Sequence, residues 1–156
     1  MKRRTVTKTS VFPASKEVIF HLLKELKTLQ YVAAPLASFA PINGSEDMVW
    51  QEKVDFAFRL RLFGFLPLGI HTIHVIEFDQ ASYEIFTNET NRHVPVWNHR
   101  ITLKPAGAGK TQYTDEVEIY AGWKTPLIYL WAKCFYAHRQ KKWASLLRHS
   151  AEQTKC

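Results

Sequence analysis

Residues 54–62 read Val-Asp-Phe-Ala-Phe-Arg-Leu-Arg-Leu. Val54, Phe56, Phe58, Leu60 and Leu62 fall on one side of an extended chain, and Asp55, Arg59 and Arg61 fall on the other. A period of two marks a sheet with one buried face and one wet face. The pattern predicts a long strand over 48–63, and four more follow it at 70–78, 83–90, 96–104 and 110–121. They are separated by Asp79–Ser82, by Asn91–Pro95, and by the Pro-Ala-Gly-Ala-Gly run at 105–109. Five consecutive strands thus lie between Asn43 and Ala121.

Upstream, residues 5–12 alternate and are rich in β-branched side chains, so they read as a first strand that Pro13 ends. Ser15 is a helix cap with Val18, Ile19, Leu22, Leu23 and Leu26 at helical spacing behind it, and a break is expected around 24–28. A short second strand over 36–42 leads to the Asn43-Gly44 turn. Downstream, residues 125–151 form one long helix with Pro126 at its first position. Its apolar stripe runs through Ile128, Ala132, Phe135, Tyr136, Trp143, Leu146 and Leu147, and Arg139 interrupts it. One helix is the only cover available to the apolar face of the sheet. A curved sheet wrapped around a single helix leaves a hollow, so the layout predicts a small-molecule cavity.

At 156 residues the chain is expected to form one α+β domain. Its 46% apolar and 22% charged residues suit a soluble globular protein. Ten Phe, six Tyr and five Trp can fill a core or line an apolar cavity. The net charge of +7 is scattered, and no zinc spacing, RNA-binding signature or phosphate loop accompanies it, which argues against nucleic acid. Cys134 and Cys156, with no apolar segment after the basic start, suggest a cytoplasmic protein.

Several stretches, taken in order, resemble the START-related SRPBCC superfamily and its polyketide cyclase/dehydrase-type branch. These are Phe12-Pro13-Ala14-Ser15 entering the first helix, Phe63-Gly64-Phe65-Leu66-Pro67-Leu68-Gly69, Trp97-Asn98-His99-Arg100, Thr114-Asp115-Glu116-Val117-Glu118, and Phe135-Tyr136-Ala137-His138-Arg139-Gln140. The resemblance implies a helix-grip fold, START/pollen-allergen-like. In it a curved antiparallel sheet of about seven strands wraps a long C-terminal helix, with two short helices after strand 1. Where the branch often carries a second histidine this chain has Ile101, and where it often carries a tyrosine this chain has Ile119.

His99 shares a strand face with Trp97, Ile101 and Leu103, and Asp115 lies on the face of Tyr113 and Val117. A His–Asp pair there would be the acid/base site of an enzyme, or a structural pair of a core. The expected ligand-binding wall is Phe56, Phe58, Tyr83, Trp97, His99, Tyr113, Val117, Phe135 and Arg139, with Val54 continuing it. Phe63, Phe65, Leu66 and Leu68 make an apolar connection that reads as a lid, a membrane contact or a buried hairpin end. His71 and His74 point to opposite faces and cannot share a metal, so neither a metal nor a cofactor is expected. The first expectation is a carrier of a hydrophobic small molecule such as a lipid, isoprenoid, quinone or polyketide-like aromatic. The second is a cyclase/dehydratase-type enzyme, and the third a regulatory protein with a filled interior.

Overall fold

The computed structural model describes residues 2–44 and 47–154; Cys156 lies outside them. The order is β1 (Arg4–Phe12), α1 (Lys16–Leu23), α2 (Leu26–Ala33), β2 (Ala37–Pro41), β3 (Asp55–Leu62), β4 (Leu66–Asp79), β5 (Glu84–Asn91), β6 (Val96–Pro105), β7 (Thr111–Tyr120) and α3 (Thr125–Thr154). The strands form one seven-stranded sheet in the order β1-β7-β6-β5-β4-β3-β2, with every neighbour antiparallel. The helix-grip expectation holds in element order and in strand number.

The caps act as local chemistry requires. Ser15 Oγ accepts the Val18 N–H at the start of α1. At the start of α3, the Thr125 hydroxyl accepts the Ala121 N–H and donates to the Gly122 carbonyl, which fixes how the helix leaves β7.

Two segments differ from expectation. The strand read over 48–63 begins only at Asp55, because Val49 bridges back to Glu25 and Lys53 takes a left-handed φ of 62°. Val54 therefore lies outside the strand and is exposed, not on the inner wall. β4 starts at Leu66, four residues earlier than expected, after a three-residue turn in which Phe63 and Gly64 both have positive φ. Leu66 and Leu68 are thus strand residues, and only Phe63 to Phe65 turn.

Register shifts within β3–β4 (Arg59/Arg61) and β4–β5 (Val75/Glu77) bend the sheet around α3. The interior divides along the helix. Around its C-terminal half Phe12, Ile19, Phe20, Leu103, Tyr113, Trp143 and Leu147 form a closed core. Around its N-terminal half Phe58, Trp97, Ala132, Phe135 and Tyr136 form a second cluster. That second cluster surrounds the hollow.

Candidate functional site

The cavity has a volume of about 550 Å³ and opens between the β2–β3–β4 side of the sheet and the first half of α3. Leu60, Leu62, Leu68 and Trp97 contribute from strands, and Ile128, Trp131 and Phe135 from the helix. Trp131 and Phe135 stack on each other with ring centroids 4.7 Å apart, so the helical wall is flat and aromatic. A second chamber of about 70 Å³ adjoins it, reaching Trp50, His99 and Trp143. Leu29, Ile73, Glu89 and Arg139 line both chambers and form the partition between them.

The polar groups gather at this partition. His71 Nε2 lies 2.7 Å from Glu89 Oε2, and the Thr87 hydroxyl donates to Glu89 Oε1 at 3.0 Å. His99 Nδ1 lies 3.9 Å from that same oxygen, and His99 Nε2 is 2.7 Å from Asp115 Oδ1. Gln140 Nε2 donates to Asp115 Oδ2 at 3.1 Å, which ties the row to α3. The row thus crosses β4, β5, β6 and β7 before it meets the helix. Each member is buried and sits on the inward parity of its strand.

One guanidinium stands among these two carboxylates. Burial alone would raise the Asp115 pKa, but the hydrogen bond from His99 and the charge of Arg139 hold it below the ordinary value. Glu89 is likewise lowered: burial opposes ionisation, and the His71 hydrogen bond and charge overcome it. Burial would lower the Arg139 pKa, yet Asp115 foremost, with Glu89 and two tyrosines, raises it. Burial raises the Tyr136 pKa well above ten, so its hydroxyl keeps its proton while accepting the Trp97 indole N–H at 3.2 Å.

Both carboxylates have native pKa values below their unfolded ones. Their contribution to stability is therefore complete above about pH 4, the unfolded range, and is lost as pH falls through the lower native values. The urea midpoint of the wild-type protein is expected to drop steeply below about pH 4. In a Glu89→Gln, Asp115→Asn double variant the same titration should be flatter. Equal slopes in the two proteins would show that the pairs contribute nothing to acid stability.

Some buried polar atoms have no hydrogen-bond partner among the described residues. His71 Nδ1, Arg139 Nε and Trp143 Nε1 belong to residues that line the chambers, whereas Tyr113 OH and Glu25 Oε2 lie outside the lining.

Of the residues singled out from sequence, Trp97, Phe135 and Arg139 line the large cavity, and His99 faces the small chamber only. Asp115 meets His99 but is sealed behind it, with 1% of its surface exposed. Phe56, Phe58, Tyr83, Tyr113 and Val117 line neither chamber. Phe56 and Phe58 pack on Trp50, Tyr113 is enclosed by Phe12 and Trp143, and Tyr83 sits at the β4–β5 turn against Phe20 and Glu17. Sequence reasoning missed Glu89, His71 and Asn91 as lining residues, while Tyr136, expected on the helical side of the wall, does line the large cavity. The signal available was the β5 alternation Ile85, Thr87, Glu89, Asn91, which puts a carboxylate and an amide on an otherwise apolar face.

The family model for a domain of unknown function, DUF8410, matches residues 21–148. The chain belongs to the DUF8410 family. That match takes in α2, every strand from β2 to β7 and most of α3, so this DUF8410 domain includes the whole cavity wall described above. No curated protein shows significant sequence similarity to it. Among solved structures the domain is similar to a START superfamily protein from Mycobacterium smegmatis, at 17% identity and a TM-score of 0.61 over 96% of this chain and 98% of that one. It is also similar to norcoclaurine synthase from Thalictrum flavum in complex with dopamine and hydroxybenzaldehyde, at 12% identity and a TM-score of 0.67, covering 95% and 88% of the two chains. A protein from Mesorhizobium loti matches at 14% identity and a TM-score of 0.71, over 94% and 98%. At these identities the likeness establishes the DUF8410 domain as a START-like helix-grip fold. Among its described residues no helix is long and apolar enough to cross a membrane.

Proposed function

We propose that the protein binds a hydrophobic small molecule, of lipid, isoprenoid, quinone or polyketide-like character, in the cavity between the sheet and α3. The observation that carries this reading is an apolar hollow of about 550 Å³ with its polar groups confined to one end. That volume lies inside the range of roughly 300–1,000 Å³ found for small-molecule sites. Affinity would come from apolar burial along Leu60, Leu68, Trp131 and Phe135. Orientation would come from Arg139, His71 and the Tyr136 hydroxyl at the end next to the small chamber.

The likeness to norcoclaurine synthase, a protein solved in complex with the small aromatics dopamine and hydroxybenzaldehyde, supports a small-molecule ligand. The 2.7 Å His99–Asp115 contact favours a second reading, a cyclase/dehydratase-type reaction with His99 carrying the proton. His99 opens only on the chamber of about 70 Å³, which leaves a substrate in the large cavity on the far side of Arg139 and Glu89. The carrier reading is therefore preferred. The open volume also argues against an interaction protein with a filled interior. A cytoplasmic setting suits the exposed, unpaired Cys134 thiol at the cavity edge.

Native mass spectrometry tests the reading. The solvent-extracted protein is incubated with palmitic acid, hexadecanol and geranylgeraniol, and one-to-one adducts with at least one of them are expected. If none is retained above the level seen with a protein lacking a cavity, the carrier reading fails.

A further inference from the structure

Strand directions place several separate segments at one end of the molecule. The turn at Phe63–Phe65, the β5–β6 turn at 92–95, the start of β1 and the start of α3 all lie there. Lys124 Nζ donates to the His93 carbonyl at 3.0 Å, which fastens the β5–β6 turn to the beginning of the helix. The cavity opens at this same end, because its lining includes the exposed Leu127 and Leu130 on α3, Leu62 and Leu68 at the base of the turn, and Val94.

Its rim is apolar and uncovered. Phe65 is 74% exposed, Trp123 75%, Leu127 66% and Leu130 60%, and Phe63 adds a ring beside Phe65. Scattered single apolar residues on a surface need no explanation, but a group of large ones around one opening does.

The charge at this end is one-sided. Arg3, Arg4, Arg61, Arg92, Lys124 and Lys133 lie here, with the half-buried Glu118 already bonded to Arg3 at 2.8 Å, and the exposed Glu116 sits two residues further from the rim along β7. Arg4 and Lys133 both sit over the Tyr129 ring on α3, within 5.2 and 5.6 Å of its centre, so the basic groups flank the rim. Glu17, Glu52, Asp55, Glu77, Asp79 and Glu84 belong to the opposite end.

We propose that this end docks on an anionic lipid bilayer, with Phe65, Trp123, Leu127 and Leu130 entering the headgroup–acyl boundary and the flanking Arg and Lys residues facing lipid phosphates. Trp and Phe suit that boundary because their rings are apolar and, in Trp, carry one polar edge. Basic groups held within a Debye length of an anionic leaflet are drawn to it, and the attraction weakens as salt rises. Docking would place the cavity mouth against the lipid, so an apolar ligand could enter without crossing water. The docking stands on the surface alone and does not require that the carrier reading hold.

The test is flotation of the full chain with vesicles of phosphatidylcholine alone or with about a third phosphatidylglycerol. The wild-type protein is expected to float with the anionic vesicles, at least tenfold more than with the neutral ones at low salt, and to be partly released by 0.5 M NaCl. A Phe65→Glu, Trp123→Glu variant should lose at least tenfold. An Arg92→Glu, Lys124→Glu variant should lose the preference for anionic lipid. The melting temperature and palmitate adduct of each variant serve as the control for folding and for the cavity. Absence of flotation with either vesicle overturns the proposal, as does unchanged flotation of the folded Phe65→Glu, Trp123→Glu variant. Concentration-dependent dimerisation abolished by that variant, without flotation, would assign the surface to a second copy of the chain instead and also overturn it. Failure of all three adducts with flotation intact would count against the carrier reading alone.

Discussion

Replacing Asp115 by alanine is expected to cost about 3–5 kcal/mol of folding stability, measured by urea denaturation at pH 7. The carboxylate is buried between His99 and Gln140, and Arg139 draws on its charge. Its removal leaves the Gln140 amide with the Lys8 carbonyl as its remaining acceptor for that group, and strands His99 without its 2.7 Å partner. It also leaves the buried Arg139 guanidinium with one carboxylate, Glu89, where there were two. Uncompensated buried charge, more than the lost bond, makes the effect large. Asp115→Asn keeps the shape and one acceptor, so it should lose less. A loss below about 1 kcal/mol in the alanine variant would mean that the buried row carries little of the fold's stability.

The second large effect concerns binding. Ala37 is buried on β2 and lines the large cavity, so a bigger side chain there projects into open volume. Ala37→Phe is expected to weaken the binding of N-phenyl-1-naphthylamine, an apolar fluorophore, at least tenfold, or about 1.4 kcal/mol. An aromatic residue is compatible with a strand, and the space to receive it exists, so the variant should melt within a few degrees of the wild type. Equal affinity of both proteins for the fluorophore would place its site elsewhere.

Much of the fold was legible because the information is local. Alternation in β3, the Ser15 cap and the apolar stripe of α3 each follow from the residues within one element. The failures have physical causes. Phe63 takes a left-handed φ of 55°, a conformation that turns usually give to Gly or Asn, so no turn signal preceded Gly64 and the start of β4 was hidden. Lys53 did the same before β3.

The site was legible in part. His99 and Asp115 share inward parity on adjacent strands, and the structure brings them to 2.7 Å. Glu89 and His71 could not be joined from sequence, because their contact depends on the β4–β5 register. Tyr113 has the right parity but lies toward the closed end of α3, where Trp143 covers it. Parity gives the face. Only the packing of the helix decides which part of that face stays open.

The central claim is that the hollow takes up an apolar molecule, and fluorescence titration of the solvent-extracted wild-type protein with N-phenyl-1-naphthylamine tests it most directly. The account predicts a saturable rise in emission with one-to-one stoichiometry and competition by the lipid that forms the mass-spectrometric adduct. A signal that rises without saturation, or that no apolar competitor reduces, would contradict it.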